Sequence, residues 1–292
     1  MNRIKGILYA AVSSSTFGLA PFFSITLLLA GFSAFEVLSY RWGVAAIVLT
    51  LFGCCSGCNF RLAKKDLLVV FLLSLLRATT SFSLLIAYQN IATGVASTIH
   101  FMYPLAVSLA MMFFFHEKKS LLVMLAVLMS LFGAALLSSG ELEAKSGDTI
   151  VGLVAACISV FSYGGYIIGV RTTRAAQINS TVLTCYVMGM GAVLYLIGAM
   201  ATSGLHLVTD GYIWLIILGL ALPATAISNI TLVRAIKYAG PTLTSILGAM
   251  EPLTAVVIGV FVFKELFTLN SAIGILLILL AVGMVVFRKQ KS

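Results

Sequence analysis

Four ionisable side chains lie deep inside apolar stretches of this sequence: Arg41, Arg77, His100 and Glu251. Glu251 occurs in the segment "GAMEPL", where it is the only charge in a membrane-length apolar run, and Pro252 follows it directly. A charged side chain at the centre of a bilayer costs about 2.5–3.5 kcal/mol on insertion scales, so such groups face a protein interior or a wet cavity. There an arginine can bind a carboxylate, and a carboxylate can bind an ammonium group or carry a proton.

These residues belong to a chain with the composition of a polytopic membrane protein. Hydrophobic residues make up 61% of the sequence and charged residues 9%, whereas a soluble domain has about 25% charged residues. We predict an all-α integral membrane protein, because ten segments are long enough, or nearly so, to cross roughly 30 Å of hydrocarbon as helices. The predicted spans, numbered 1 to 10, are residues 4–29, 34–55, 67–90, 95–115, 121–139, 149–170, 180–203, 210–234, 242–263 and 269–287.

The basic residues are distributed unequally between the two ends of these spans. With the amino terminus placed in the cytoplasm, the outer loops hold only Lys145 and Lys264, and fourteen Lys and Arg residues lie in the inner loops and termini or at the inner ends of the spans. This asymmetry follows the positive-inside rule and puts both termini in the cytoplasm. We expect a multi-pass protein in the lipid bilayer of a cell membrane, most simply a bacterial inner membrane. The net charge of +9 is scattered over many short loops, which argues against nucleic acid as a partner.

The sequence contains no recognisable metal or catalytic motif. Cys54, Cys55 and Cys58 cluster in "GCCSGC" at the end of span 2. A zinc site needs a fourth ligand at a suitable spacing, so we interpret them as reduced cysteines at a helix end. The "HE" pair at 116–117 lacks the second histidine of a zinc-protease helix. We expect no enzymatic activity, no bound metal and no cofactor.

The chain contains an internal repeat. The segment "MYPLAVSLAMMFFFHE" at 102–117 matches "MEPLTAVVIGVFVFKE" at 250–265 with an offset of 148, and the match includes the proline and the closing glutamate. Residues 6–18 resemble residues 152–165 with an offset of 146. Similarity at both the start and the end of each half indicates that one structural unit occurs twice.

The repeat divides the chain into a five-helix repeat at 1–139, a polar linker at 140–148 and a second five-helix repeat at 149–292. Because five is odd, the second half enters the membrane from the opposite side, and the two halves are inverted repeats. One fold inserted in two orientations gives two nearly equivalent conformations, one open inward and the other open outward. Inverted repeats of this kind recur in secondary transporters.

These features resemble the drug/metabolite transporter (DMT) superfamily, and specifically its EamA-like ten-helix permeases. The resemblance rests on Arg41 in span 2, on "YPL" to "HE" between Tyr103 and Glu117, and on "EPL" to "KE" between Glu251 and Glu265. It covers essentially the whole chain. Members of this family export or take up amino acids, other metabolites and drugs, so the resemblance implies transport of a small molecule and leaves the substrate open.

Each repeat places a proline at the same depth of its fourth span: Pro104 in span 4 and Pro252 in span 9. A proline within a helix lacks an amide donor and bends the helix. We expect Pro252 to free the carbonyl of Gly248 and Pro104 to free that of His100, so that cavity water or substrate can bind there.

The kinks adjoin a site whose side chains differ between the repeats, because Glu251 corresponds to Tyr103. Three interpretations compete with binding: Glu251 can form a structural ion pair with an arginine, Arg41 can anchor a helix through backbone carbonyls, and His100 can be a packing residue. The predicted binding and coupling residues are Glu251, Arg77, Arg41, Tyr103, His100, Asn229, Tyr163 and Trp42, with Thr16 and Phe17 as further pocket candidates.

Charges of both signs at one site favour a zwitterion. We therefore expect a secondary transporter, with export as the favoured direction, of an amino acid or similar small metabolite, with one five-helix half rocking against the other. Burial disfavours the charged form of Glu251 and a nearby arginine favours it, so protons as coupling ion and uncoupled exchange both remain open. One alternative is efflux of hydrophobic or cationic drugs; another, of a different class, is a non-transporting membrane scaffold or receptor.

Overall fold

The computed structural model of the chain describes residues 2–117, 120–138, 147–202, 204–254, 257 and 268–286, and the regular structure in these ranges is helical. The helices of the first half are α1 (Asn2–Phe17), α2 (Ala20–Leu29), α3 (Ala34–Cys55), α4 (Lys64–Asn90), α5 (Thr93–His100), α6 (Tyr103–Phe113) and α7 (Leu121–Ser138). Those of the second half are α8 (Thr149–Thr172), α9 (Ser180–Ala201), α10 (Gly211–Ala221), α11 (Ser228–Ala239), α12 (Pro241–Leu247), α13 (250–254) and α14 (Leu269–Val286). A 3₁₀ turn (Arg174–Gln177) follows α8, and a π-helical turn (Leu222–Ile227) joins α10 to α11.

The helices account for the predicted spans, and the ten-helix membrane architecture is confirmed. Eight helical segments among the described residues are long and apolar enough to cross a membrane, and the shorter apolar helix Leu121–Leu136 forms span 5. Within the described ranges, spans 1, 4, 8 and 9 each contain two consecutive helices. The carboxyl-terminal part of span 9, like most of the linker at 140–148, lies outside the described residues.

Span 8 is longer than the hydropathy pattern predicts, because α11 continues to Ala239 instead of ending at 234. Arg234 and Lys237 therefore lie on the helix and not in a loop. The Arg234 guanidinium lies 5.5 Å from the centre of the Tyr9 ring, and the Lys237 ammonium donates to the carbonyl of Ile178. The predicted boundary was wrong because long basic side chains can pack their stems along a helix and still place their charges on polar or aromatic partners.

Four spans are interrupted, and each interruption adjoins a proline. Pro21 lies in the first turn of α2, Pro104 in the first turn of α6, Pro223 in the π-helical turn and Pro252 in α13. A proline cannot donate the amide hydrogen bond that continues a helix. Breaks were predicted at Pro104 and Pro252 but not at Pro21 and Pro223, although a proline inside a membrane-length apolar run gives the same signal at all four positions.

The Gly248 carbonyl, which Pro252 was expected to leave without a donor, accepts a hydrogen bond at the break in span 9. The Glu251 amide donates to the Gly248 carbonyl at 2.9 Å, and the Gly248 amide donates to the Ser245 carbonyl at 3.1 Å. Both bonds join residues three apart, as in a 3₁₀ turn. The prediction of a free Gly248 carbonyl is therefore wrong, because local tightening of the chain gives this carbonyl a donor before the proline.

The two halves interlock instead of packing as separate lobes. The most extensive helix contacts join span 1 to span 8, span 2 to span 7, span 3 to span 6 and span 5 to span 10, and span 4 packs on span 9 through α6 and α12. Replacing each span by its equivalent in the other repeat exchanges pairs 1–8 and 3–6 and leaves the other three pairs unchanged. The packing therefore has the pseudo-two-fold symmetry expected of repeats.

The outside of the bundle carries large apolar side chains. Leu51, Leu68 and Phe161, for example, are 61%, 64% and 72% exposed. Water would solvate such a surface poorly, whereas lipid tails match it. The chain is thus a multi-pass membrane protein whose exterior is built for the bilayer.

Spans 2 and 7 approach closely where Trp42 lies against Gly191. A β-carbon at residue 191 would be 2.2 Å from the indole ring, so we expect Gly191→Ala to lower the free energy of unfolding by about 1–3 kcal/mol through overpacking. Gly189→Ala, on the same helix, is the control because its methyl group would meet no atom within 4 Å. Thermal unfolding in detergent measures both variants, and equal midpoints would contradict this packing.

Candidate functional site

The π-helical turn of span 8 holds Arg41. The Arg41 side chain is buried, and its Nε donates to the Thr225 hydroxyl at 2.6 Å and its Nη2 to the Ala224 carbonyl at 3.5 Å. The Thr225 hydroxyl in turn donates to the Leu220 carbonyl at 2.7 Å. A π-helical turn shifts the hydrogen-bond pattern of a helix, and here it presents a hydroxyl and a carbonyl to the guanidinium.

Arg77 is bound one helical turn further along the same span. It is 1% exposed, and its Nε donates to Asn229 Oδ1 at 2.9 Å while its Nη1 donates to the Ser81 hydroxyl at 3.4 Å. The Asn229 amide donates to the Thr225 carbonyl at 2.8 Å. Span 8 therefore positions both arginines through neutral groups, and the Asn229 side chain is itself held by the Thr225 backbone carbonyl.

Aromatic rings complete the surroundings of the arginines. The Phe17 ring, at the end of α1, lies 5.6 Å from the Arg41 guanidinium and 5.2 Å from that of Arg77. Arg77 also lies 5.0 Å from the Tyr163 ring and 6.0 Å from the Tyr166 ring. Such cation–π contacts stabilise a buried guanidinium without neutralising its charge.

Glu251 belongs to the same cluster without being paired to an arginine. The ion pairs among the described residues are Arg174–Asp66 and His206–Glu36. Glu251 interacts electrostatically with Arg77 and, more weakly, with Arg41. The alternative interpretation of Glu251 as the partner in a tight ion pair with one of these arginines does not describe this conformation.

His100 is fixed on one side and unpartnered on the other. Its Nδ1 lies 2.8 Å from the Ser159 hydroxyl, which donates to the Ala156 carbonyl at 2.6 Å. Because the hydroxyl has a single hydrogen, this pattern assigns the proton of the neutral imidazole to Nδ1 and leaves Nε2 as an acceptor. His100 is 2% exposed, and its Nε2 has no hydrogen-bond partner among the residues that the structure describes. The interpretation of His100 as a packing residue therefore accounts for its Nδ1 atom but not for its Nε2 atom.

Tyr103 connects the breaks of spans 4 and 9. Its ring centre lies 4.6 Å from that of Tyr163 and 5.4 Å from the His100 imidazole. Its hydroxyl packs against Gly248 so closely that a β-carbon there would be 1.7 Å from the oxygen. The glycine is therefore required for Tyr103 to occupy this position.

Trp42 lies one contact behind the cluster, although it follows Arg41 in the sequence. Its ring packs edge-on against Tyr195 at 5.2 Å, whose hydroxyl donates to the Ala78 carbonyl at 2.6 Å. Consecutive helical residues point in directions about 100° apart, so Arg41 and Trp42 cannot both face span 8. The structure thus places Trp42 in the packing between spans 2 and 7.

A small cavity borders the arginines. Its volume is about 20 Å³, which is enough for one water molecule. It lies on the side of Arg77 nearer the end of α4, and its lining includes Phe17, Pro21, Ser24, Arg41, Arg77 and Tyr88. The site is therefore almost closed in this conformation.

The predicted residues Arg41, Arg77, His100, Tyr103, Tyr163, Asn229 and Glu251 come together, whereas the sequence analysis missed Thr225, Ser159 and Tyr166. The repeat contains a signal for Thr225, because the offset of 148 places Arg77 on Thr225 and Ser81 on Asn229. Arg77 therefore donates to the side chains of Ser81 and Asn229, which occupy equivalent positions in the two repeats. No group of three or more His, Cys, Asp or Glu side chains converges in the described part of the chain.

Membrane folds made of two repeats, with charged groups beside broken helices, recur among transporters. The EamA-like transporter family matches residues 4–139 and again residues 150–287. The chain therefore belongs to the EamA-like transporter family, and the resemblance to the drug/metabolite transporter superfamily is confirmed.

The fold also occurs among solved structures. A crystal structure of a protein superimposes on 97% of this chain and 96% of its own chain with a TM-score of 0.80, at 18% sequence identity. This likeness concerns the fold alone. No curated protein sequence matches the chain.

Replacing Asn229 tests whether the buried Arg77 side chain needs its hydrogen-bond acceptor on span 8. We expect Asn229→Leu to destabilise the protein by about 1–3 kcal/mol, because a buried guanidinium N–H loses its acceptor, and Asn229→Asp to keep that acceptor. Thr231→Val is the control, because the Thr231 hydroxyl bonds only carbonyls of its own helix, at 2.6 and 3.0 Å. Thermal unfolding in detergent gives the order, and an Asn229→Leu midpoint equal to that of Thr231→Val would contradict the pairing.

Proposed function

We propose that the protein is a secondary transporter, and specifically an exporter, of an amino acid or a similar small zwitterion. The observation that carries this proposal is the coexistence, in one cluster, of two buried arginines bound to neutral groups and a half-buried carboxylate that forms no ion pair within the described part of the chain. Charges that do not neutralise each other within a low-dielectric site are suited to a ligand that supplies both opposite charges.

Arg77 is the proposed partner of the substrate carboxylate. Its Nε is held by Asn229, and Phe17 and Tyr163 flank the guanidinium. A guanidinium oriented in this way can present two N–H groups to a carboxylate. Arg41, fixed by Thr225, contributes positive potential and can bind the second oxygen when the cavity opens.

Glu251 is the proposed partner of the substrate ammonium group and of the coupling proton. It lies in α13, at the break of span 9, and span 9 packs on the equivalent broken span 4. A carboxyl that binds an ammonium group when ionised, and a proton when the site is empty, couples export to proton entry. The tyrosine rings limit the size of the substrate.

The proposed mechanism is alternating access between the repeats at 1–139 and 149–292, with the linker at 140–148 between them. The breaks of spans 4 and 9 divide each span into two helices, which allows one part to move while the other stays packed. The charge distribution supports a cell membrane with both termini in the cytoplasm. The outward surface of the site then faces the ends of α2 and α4.

Efflux of hydrophobic or cationic drugs is the second candidate, because a second pocket favours it. A groove of about 570 Å³ lies between spans 2, 3, 6 and 7, and Phe35, Phe82 and Ile158 are among the mainly apolar residues that line it. This volume is within the range of small-molecule sites. The groove is open towards the lipid face and shares Tyr195 with the packing behind the arginines.

Counterflow in proteoliposomes tests the proposal directly. Wild-type protein and Glu251→Gln are compared over labelled amino acids, organic anions and cationic dyes, with and without a pH gradient. We expect amino-acid flux driven by the gradient in the wild type and only passive exchange in Glu251→Gln, because the amide binds no proton. Asp66→Asn, which removes an exposed ion pair with Arg174, is the matched control and should transport like the wild type.

Equal gradient-driven flux in wild type and Glu251→Gln would remove the coupling role of Glu251. Flux of dyes without flux of amino acids would replace the proposal with drug efflux. Absence of any flux from a well-folded protein would favour a scaffold or receptor.

A further inference from the structure

The contact between Tyr103 and Gly248 has a counterpart in the other repeat that is not formed in this conformation. The offset of 148 places Tyr103 on Glu251 and His100 on Gly248. The observed contact joins Tyr103 of the first repeat to Gly248 of the second. Its counterpart joins Glu251 to His100.

Two contacts at the ends of the bundle show that the repeat offsets identify equivalent contacts in the two halves. Gly6 in span 1 packs against Ala239 in span 8, where an added β-carbon would lie 2.7 Å from the Ala239 β-carbon. The offsets of 146 and 148 turn this pair into Gly152 and Ile91, and there an added β-carbon would lie 2.5 Å from the Ile91 side chain. Both contacts are formed, one at each end of the bundle.

Inverted repeats exchange their conformations when the transporter changes the side to which it opens, because each repeat can adopt the arrangement of the other. From this and from the contact geometry we propose that His100 is the partner of the Glu251 carboxyl group in the opposite-facing conformation. The inference rests on the proposed alternating-access function and adds a residue pair that handles the coupling proton within it.

His100 has the hydrogen-bonding state that this role requires. Ser159 holds the Nδ1 side, and the buried Nε2 is an acceptor without a partner. A protonated Glu251 carboxyl can donate to Nε2, and an imidazolium can equally donate to a Glu251 carboxylate. In either form the His100–Glu251 pair holds one transferable proton. A substrate-free protein that changes conformation with this pair formed would therefore carry one proton across the membrane.

The sizes of the side chains fit the exchange. In the observed contact a long side chain, Tyr103, meets a glycine; in the proposed contact a shorter one, Glu251, meets an imidazole. The summed length across the gap between spans 4 and 9 is thereby similar in the two conformations. The other charged or titratable groups that face this pair are Arg77, Arg41, Tyr103 and Tyr163.

Two cross-linking pairs test the inference without relying on transport. In a background free of the five native cysteines, one protein carries Tyr103→Cys with Gly248→Cys, and the other carries His100→Cys with Glu251→Cys. A short bifunctional thiol reagent is applied in proteoliposomes, and peptide mass spectrometry gives the yields. We expect the first pair to react readily in an otherwise unchanged chain and the second to react less.

Wedges at the two equivalent end contacts should shift these yields in opposite directions. Gly6→Leu disfavours closure at the end where span 1 meets Ala239, so we expect it to raise the yield of the 100–251 pair and lower that of the 103–248 pair. Gly152→Leu should do the reverse. Gly43→Leu, whose β-carbon would meet no atom within 4 Å, is the control, and each protein is first shown to be monodisperse.

A 100–251 yield that stays at background with both wedges, while the 103–248 yield responds, would overturn the inference. Failure of both pairs to react would also overturn it, because the starting contact would be absent. The proposed function is judged separately by counterflow. If Glu251→Gln abolishes gradient-driven flux but the 100–251 pair never reacts, the proposed transport function is supported and the proposed role of His100 is rejected.

Transport by His100→Gln gives a second readout. Glutamine keeps hydrogen-bonding capacity but binds no proton, so we expect loss of gradient-driven flux with retention of passive exchange, as in Glu251→Gln. Combining both substitutions should then cost no more gradient-driven flux than either alone. Normal gradient-driven flux in His100→Gln would contradict the shared proton.

Discussion

The burial of two guanidinium groups in an apolar bundle is the constraint on which the site depends. Arg41 and Arg77 are both almost fully buried, and a buried charge without hydrogen-bond partners would be costly. Span 8 supplies those partners by departing from a regular helix: the π-helical turn brings Thr225 and Ala224 to Arg41, and Asn229 follows one turn later for Arg77. The positive charges are thereby tolerated without being neutralised.

The remainder of the architecture combines a symmetric scaffold with an asymmetric site. The span pairs obey the pseudo-two-fold relation, and equivalent glycines make close contacts at both ends. The site breaks this relation, because Arg77 corresponds to Thr225 and Tyr103 to Glu251. In the proposed alternating-access mechanism, the symmetry of the repeats would give two related conformations, and the asymmetric site would let different charged groups meet in each.

Most of the fold follows from the sequence, whereas the pairing within the site does not. Hydropathy and the offset of 148 predict the spans and the repeat, since membrane thickness fixes the length of an apolar helix. The rotation of each helix about its axis is not fixed by hydropathy, so Trp42 was expected in the pocket and packs behind it. The role of Thr225 depends on a π-helical turn, and the Gly248 carbonyl on a local 3₁₀ turn; hydropathy specifies neither turn.

Equilibrium binding of a matched set of ligands to the purified protein tests most directly whether the buried arginines bind a substrate carboxylate. The set comprises the amino acid that gives the strongest counterflow, the amine that lacks its carboxylate and the acid that lacks its ammonium group. The account predicts that the wild type binds the amino acid most tightly and that Arg77→Gln loses the preference over the amine but keeps the preference over the acid. Equal binding of the amine and the amino acid by the wild type would contradict a carboxylate partner at the buried arginines.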